Sequence, residues 1–257
     1  MTVVLKTEAE LRTMREAGQI VGQTLDKIRA MVRPGLNLLE VERLVHDEFK
    51  RRGAKETFRN YTPHERYRPF PSNVCISVNN QLVHGIPKAR QLQEGDIVTF
   101  DLGATYKGFV GDSAITVGVG AISAEAQALI HLTEASLAAG IKAASRGKYL
   151  NDICGAIEDV IKAPGGYGIV KGYGGHGVGR AMHEDPHVQN FRMRVKGPPL
   201  KTGLVIALEP MVTIGPPDVM EESDGWTVST KSGNLCCHFE HTIAIREGCE
   251  AEILTLP

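Results

Sequence analysis

The chain has 257 residues, 42% of them hydrophobic and 23% charged, with a formal net charge of -1. This is the profile of a globular protein large enough for a substantial core, and no cationic excess points to nucleic acid or an anionic membrane. No run of about eighteen apolar residues occurs and the N-terminus turns polar within its first residues, so neither a membrane span nor a signal peptide is expected. The five scattered cysteines lack a C-x-x-C pair and read as reduced thiols of a cytoplasmic protein.

Thr7 followed by Glu10 has the form of a capping box, and Leu11, Met14, Ile20, Val21, Leu25 and Ile28 recur at helical spacing until Arg33-Pro34-Gly35 stops them. Asn37 with Glu40 opens a second amphipathic helix through Val41, Val45 and Phe49, which ends near Gly53. The segment 55–72, rich in Arg, Pro and aromatics, is long for a connection, and loops of that length often line a site. From Val74 to Gly120, short β-branched runs separated by glycine-bearing turns predict strands. Ser123 caps a third helix to about Ser145, and Leu150 to about Lys162 makes a fourth. Strand-like segments follow at 168–171, 204–214, 226–229 and 239–245. The second half thus repeats the order of the first, helix, helix, strands. A single α+β domain over residues 1–257 with a shared central sheet is expected.

Two motif matches fail on physical grounds. Gly172-Tyr173-Gly174-Gly175-His176-Gly177 fits G-x-G-x-x-G, but a dinucleotide site needs a helix to begin there, and Gly177, Gly179 and Pro186 leave none. His183-Glu184-Asp185-Pro186-His187 fits H-E-x-x-H, but Pro186 breaks the turn that would bring both histidines to one zinc.

A different set carries chemistry. Asp101 ends an apolar strand and Asp112 follows beyond a turn centred between Tyr106 and Lys107, so a hairpin would set the two directly opposite each other, as two carboxylates clasping a metal pair require. Glu209 and Glu240 lie within apolar strands, where a carboxylate is costly to desolvate unless a cation offsets the cost. His176 sits in a glycine-rich loop that permits close approach. Four carboxylates and one imidazole nearly neutralise two divalent ions, and oxygen-rich ligation with one nitrogen suits Mn, Fe, Co or Zn.

On these residues the chain resembles the type I methionine aminopeptidases. The resemblance runs from the first helix to the last strand through Val83-His84-Gly85-Ile86-Pro87, Asp101 with Gly111-Asp112-Ser113, His176-Gly177-Val178-Gly179 with His183-Glu184-Asp185-Pro186, Glu209-Pro210-Met211 and Phe239-Glu240-His241-Thr242. It implies a pita-bread fold, in which pseudo-two-fold halves of paired helices lie on a central antiparallel sheet. It also implies that Asp101 chelates one metal, His176 and Glu209 hold the other, and Asp112 and Glu240 bridge both. His84 would lie near the scissile nitrogen and His183 near the scissile carbonyl oxygen, with Glu209 as proton acceptor. The methionine pocket would comprise Tyr67, Phe70, Cys75, Met182 and Trp226, with Met182 where the family often has Phe. The implied reaction removes the initiator methionine from nascent proteins when the second residue is small. A monomer is expected, and acting on nascent chains suggests ribosome association, for which the sequence carries no motif. The rivals are a proline-directed peptidase of the same fold, which shares the five ligands, and a binding protein that keeps the fold without activity.

Overall fold

The computed structural model describes residues 3–64 and 67–257. Helix α1 (Glu8–Met31) starts where its capping box dictates, the Thr7 hydroxyl accepting from the Glu10 amide and the Glu10 carboxylate from the Thr7 amide. Asn37 and Glu40 open α2 (Leu38–Arg52) in the same way, and Gly53 closes it in the left-handed conformation at φ 68°. Strands β1 (Lys55–Glu56), β2 (Cys75–Val78), β3 (Gln81–Val83), β4 (Ile97–Tyr106) and β5 (Phe109–Gly118) follow. Helices α3 (Ala124–Arg146) and α4 (Leu150–Lys162) open the second half. Its strands are β6 (Tyr167–Ile169), β7 (Gly175–Gly177), β8 (Glu184–Val188), β9 (Val205–Leu208), β10 (Met211–Ile214), β11 (Val219–Glu221), β12 (Val228–Thr230), β13 (Cys236–His238), β14 (Glu240–Ala244) and β15 (Glu252–Ile253).

The main sheet runs β1-β4-β5-β14-β9-β7-β8, with β2 also on β4 and β15 on β14. Each of its pairings is antiparallel. The two halves meet where β5 pairs with β14. One core joins both helix pairs to the sheet, running from Val21, Val45 and Phe100 to Leu129, Ile157, Ile206 and Ile243. No helix among the described residues is long and apolar enough to cross a membrane. All five cysteines are unpaired, four of them buried and Cys249 exposed. No helix begins at the glycine-rich run or at His183, where β7 and β8 lie instead.

Two expectations are corrected. The strand-like segment 204–214 does not run through as a single strand of one sheet, whereas 239–245 holds β14 alone. β9 and β14 belong to the main sheet, whereas β10 and β13 pair with each other and with β6 in a separate three-stranded sheet. The chain changes sheets at Glu209-Pro210, where Pro210 has no amide with which to continue the ladder, and again at Phe239, between β13 and β14. Second, Asp101 and Asp112 are not directly opposite. The hairpin turns on Lys107 (φ 48°) and Gly108 (φ 80°), so Asp101 faces Ala114 and Asp112 faces Gly103. Two consecutive residues at positive φ match the twist of a tight hairpin and set its centre one residue later than expected. The register therefore slips by two, which keeps both aspartates on one face as diagonal neighbours.

Helix α1 lies between the sheet and the C-terminal segment at glycines. A Cβ on Gly18 would lie 2.7 Å from the carbonyl carbon of Leu254. Alanine should gain about 1 kcal/mol of helix propensity there, but separating two backbones should cost about 1–3 kcal/mol. Gly18→Ala is accordingly expected to lower the denaturant midpoint, and a raised midpoint would show that the contact is loose.

Candidate metal centre and active site

Five neighbouring strands each bring one side chain to a single point. Across the order β4-β5-β14-β9-β7 these are Asp101, Asp112, Glu240, Glu209, which immediately follows β9, and His176. Register puts them on one face. Asp101 and Glu240 both face Ala114, two residues from Asp112. His241 faces Leu208, so Glu240 stands across from the next position, Glu209. Gly177 faces Ile206, which sets His176 beside Ala207, again two residues from Glu209. Side chains alternate with a period of two, so all five converge.

They line a cavity of about 420 Å³ together with Phe58, Tyr61, Phe70, Cys75, His84, Met182, His183 and Trp226. His176 Nε2 lies 3.8 Å from Asp112 Oδ2 and 3.6 Å from Glu209 Oε1. Ligand atoms of Asp112, His176 and Glu240 all fall within 4.8 Å of one another. Glycine at 175 lets β7 come this close, since a Cβ there would lie 3.2 Å from the carbonyl carbon of Ala207 and still closer to its oxygen.

The electrostatics suit cations. Burial pushes the carboxyls of Asp101, Glu209 and Glu240 well above the usual range, with each other's and Asp112's charges adding to the effect. Asp112 is pushed up to about 7 by burial, against the opposing amide of Ser113. Asp101 Oδ1, Asp112 Oδ1 and Glu240 Oε1 are buried without a hydrogen-bond partner. Burial also lowers His176 to about 3, so its ring is neutral. With Nδ1 placed 3.0 Å from the Gly177 carbonyl, the proton belongs on Nδ1 and the Nε2 lone pair faces the carboxylates. Lone pairs turned toward carboxylate oxygens repel unless a cation stands among them, so this donor set fits divalent metal.

Around it, His183 Nδ1 lies 2.6 Å from the Tyr61 hydroxyl, and its ring centroid is 4.2 Å from that of His176. His84, at φ 59°, presents its ring edge-on to Trp226 and Tyr173 at 6.1 and 6.0 Å between centroids. Phe70, Cys75, Met182 and Trp226 line the cavity, whereas Tyr67 packs against Trp226 at 5.7 Å and is not among the lining residues.

Sequence reasoning missed Tyr61, which shares its segment with Phe70, and His238. His238 is 1% exposed, with Nε2 3.5 Å from Glu209 Oε2 and neither ring nitrogen hydrogen-bonded. Its signal was the one that marked Glu240, a polar residue within an apolar run.

Comparisons place this arrangement among known proteins. The model of metallopeptidase family M24 matches residues 12–247. The chain is 43% identical over 254 residues to a methionine aminopeptidase of Clostridium perfringens, covering 99% of each. It is 42% identical over 245 residues to methionine aminopeptidase 1 of Bacillus subtilis, covering 95% of this chain and 96% of that one. Among solved structures, the methionine aminopeptidase of Thermotoga maritima superposes with a TM-score of 0.94 at 37% identity, covering all of both chains. The pita-bread expectation holds. A prolidase from Pyrococcus furiosus shares that fold at a TM-score of 0.78 and 22% identity, and this chain covers 66% of it.

The metal-free protein has a predictable pH response. Asp112 holds its proton to about pH 7 when folded against an ordinary value of 3.8, so between these values the folded state carries a proton that the unfolded chain has released. Stability from this group therefore falls as pH rises through that window, and the raised carboxyls beside it extend the fall upward. Histidines that burial holds neutral pull the other way below their ordinary value of 6.5, so the test lies above it: melting of chelator-stripped protein should occur at lower temperature at pH 8 than at pH 7, with excess Mn(II) reversing the loss. A melting temperature that rises across this interval without metal would contradict the electrostatic reading.

Proposed function

The chain belongs to metallopeptidase family M24 and is a metal-dependent aminopeptidase that removes N-terminal methionine, and we propose that it does so through two divalent ions shared by Asp101, Asp112, His176, Glu209 and Glu240. The observation that carries the proposal is the convergence of four buried carboxylates and one neutral imidazole without donors enough to satisfy them. In the proposed division, Asp101 would hold one ion, His176 and Glu209 the other, and Asp112 and Glu240 would serve both. Mn, Fe, Co and Zn all suit such a donor set. Bound ions would supply Lewis acidity, activating a water and polarising the scissile carbonyl.

The remaining work falls to the protein's own groups. Glu209 accepts a proton at its carboxylate. His183 serves the carbonyl oxygen. Burial lowers its pKa, so the ring is neutral, and the Tyr61 hydroxyl, itself held protonated by burial, donates to Nδ1. That bond leaves the ring proton on Nε2, free to stabilise developing negative charge. His84, neutral because burial lowers it to about 4, stands near the scissile nitrogen. Phe70, Cys75, Met182 and Trp226 form the wall that takes the methionine side chain, and soft sulfur packs well against rings. The substrate is the N-terminus of a nascent protein with a small second residue. The reading carries with it a cytoplasmic setting, contact with the ribosome and a monomeric catalytic unit spanning residues 1–257.

Chelator-stripped protein given Mn, Co, Fe(II) or Zn separately is expected to release methionine from Met-Ala-Ser, to leave Met-Lys-Ser largely intact and to spare Ala-Pro-Ser. Cleavage confined to Ala-Pro-Ser would move the protein to the proline-directed branch, and no cleavage with any metal would leave only a binding role.

A further inference from the structure

We propose that Thr242 is a positioning residue for the metal centre, its hydroxyl standing in for a rung of the β5–β14 ladder and so fixing where Asp112 presents its carboxylate. The inference rests on the bridging roles proposed above for Asp112 and Glu240.

Between β5 and β14 the paired positions are Ser113 with His241 and Ala114 with Glu240. One step further, where Asp112 and Thr242 would pair, a side chain takes over. The Thr242 Oγ1 accepts the Asp112 amide at 3.2 Å and donates to the Asp112 carbonyl at 2.7 Å. A hydroxyl has one proton to give and lone pairs to receive, so a single group satisfies both backbone atoms of a buried residue. Thr242 is fully buried and Asp112 is 3% exposed, so no bulk solvent is available as a substitute partner.

The opposite carboxylate is tied from the other strand. Ser113 Oγ donates to the Glu240 carbonyl at 2.5 Å. With that proton committed, Ser113 Oγ can only accept from His241 Nδ1, 3.3 Å away, and Thr255 Oγ1 lies 2.8 Å from the same nitrogen. Each bridging carboxylate therefore has its backbone held by a hydroxyl of the neighbouring strand. Spacing between Asp112 and Glu240 is what decides whether both can reach the same two ions, and these hydroxyls set the strand spacing at that place.

Three variants separate a hydroxyl role from a packing role. Valine keeps the volume of threonine and removes both hydrogen bonds, serine keeps the hydroxyl and loses a methyl, and alanine leaves room in which a water can bridge the Asp112 backbone. If the hydroxyl positions the ligand, Mn(II) affinity should fall in the order wild type, Thr242→Ser, Thr242→Ala, Thr242→Val, with the valine protein about 10–100-fold weaker. Its EPR spectrum at two equivalents of Mn(II) should lose the exchange-coupled signal of a bridged pair, which Thr242→Ser should retain. Packing alone predicts a different order, with valine closest to wild type and alanine worst, and that order would overturn the inference. A wild-type protein that shows no coupled pair would instead overturn the bridging assignment and this inference with it. If the valine protein does not fold, the comparison of serine with alanine decides in the same terms: equal affinities and spectra would refute a role for the hydroxyl.

Discussion

Mutual repulsion at the centre of the main sheet governs much else in the molecule. Asp101, Asp112, Glu209 and Glu240 crowd one buried face with the lone pair of His176 turned toward them. Removing carboxylates from water costs several kcal/mol each unless something replaces the solvent. Protonation offsets part of that cost at low pH and divalent cations offset it at neutral pH, so the groups that make the centre reactive also make its stability depend on metal.

A doubled architecture is what makes the arrangement buildable. Two halves with the same order of elements meet at β5 and β14, and the five converging side chains come from strands on both sides of that seam. No single strand carries more than one ligand. The burden of placing charge in an apolar sheet is therefore spread, and β4, β5, β9 and β14 keep apolar side chains to bury the other face. Phe100 and Phe239, which directly precede Asp101 and Glu240, belong to the common core.

Much of this was legible in the sequence because the caps and the costly residues announce themselves. Thr7 with Glu10 and Asn37 with Glu40 mark helix starts to the residue, and Glu240 within an apolar run signals a buried charge that needs a partner. What escaped depends on registers set by single turns. Lys107 carries no turn signature, yet its left-handed backbone moves the hairpin centre and makes Asp101 and Asp112 diagonal neighbours. The change of sheet at Glu209-Pro210 was written in the proline but is visible only once the partner strands are known. Tyr61 reaches His183 across 122 positions of chain, a contact that no local pattern encodes. Tyr67, in the same segment, packs instead against Trp226.

The central claim is that the five converging side chains hold two ions in common. Anomalous diffraction from crystals grown with Mn(II), recorded at the manganese edge, tests it most directly. Two peaks about 3.5–4 Å apart are expected, one beside Asp101, the other beside His176 and Glu209, and both within reach of Asp112 and Glu240. Peaks elsewhere, or none among these residues at saturating metal, would contradict the assignment.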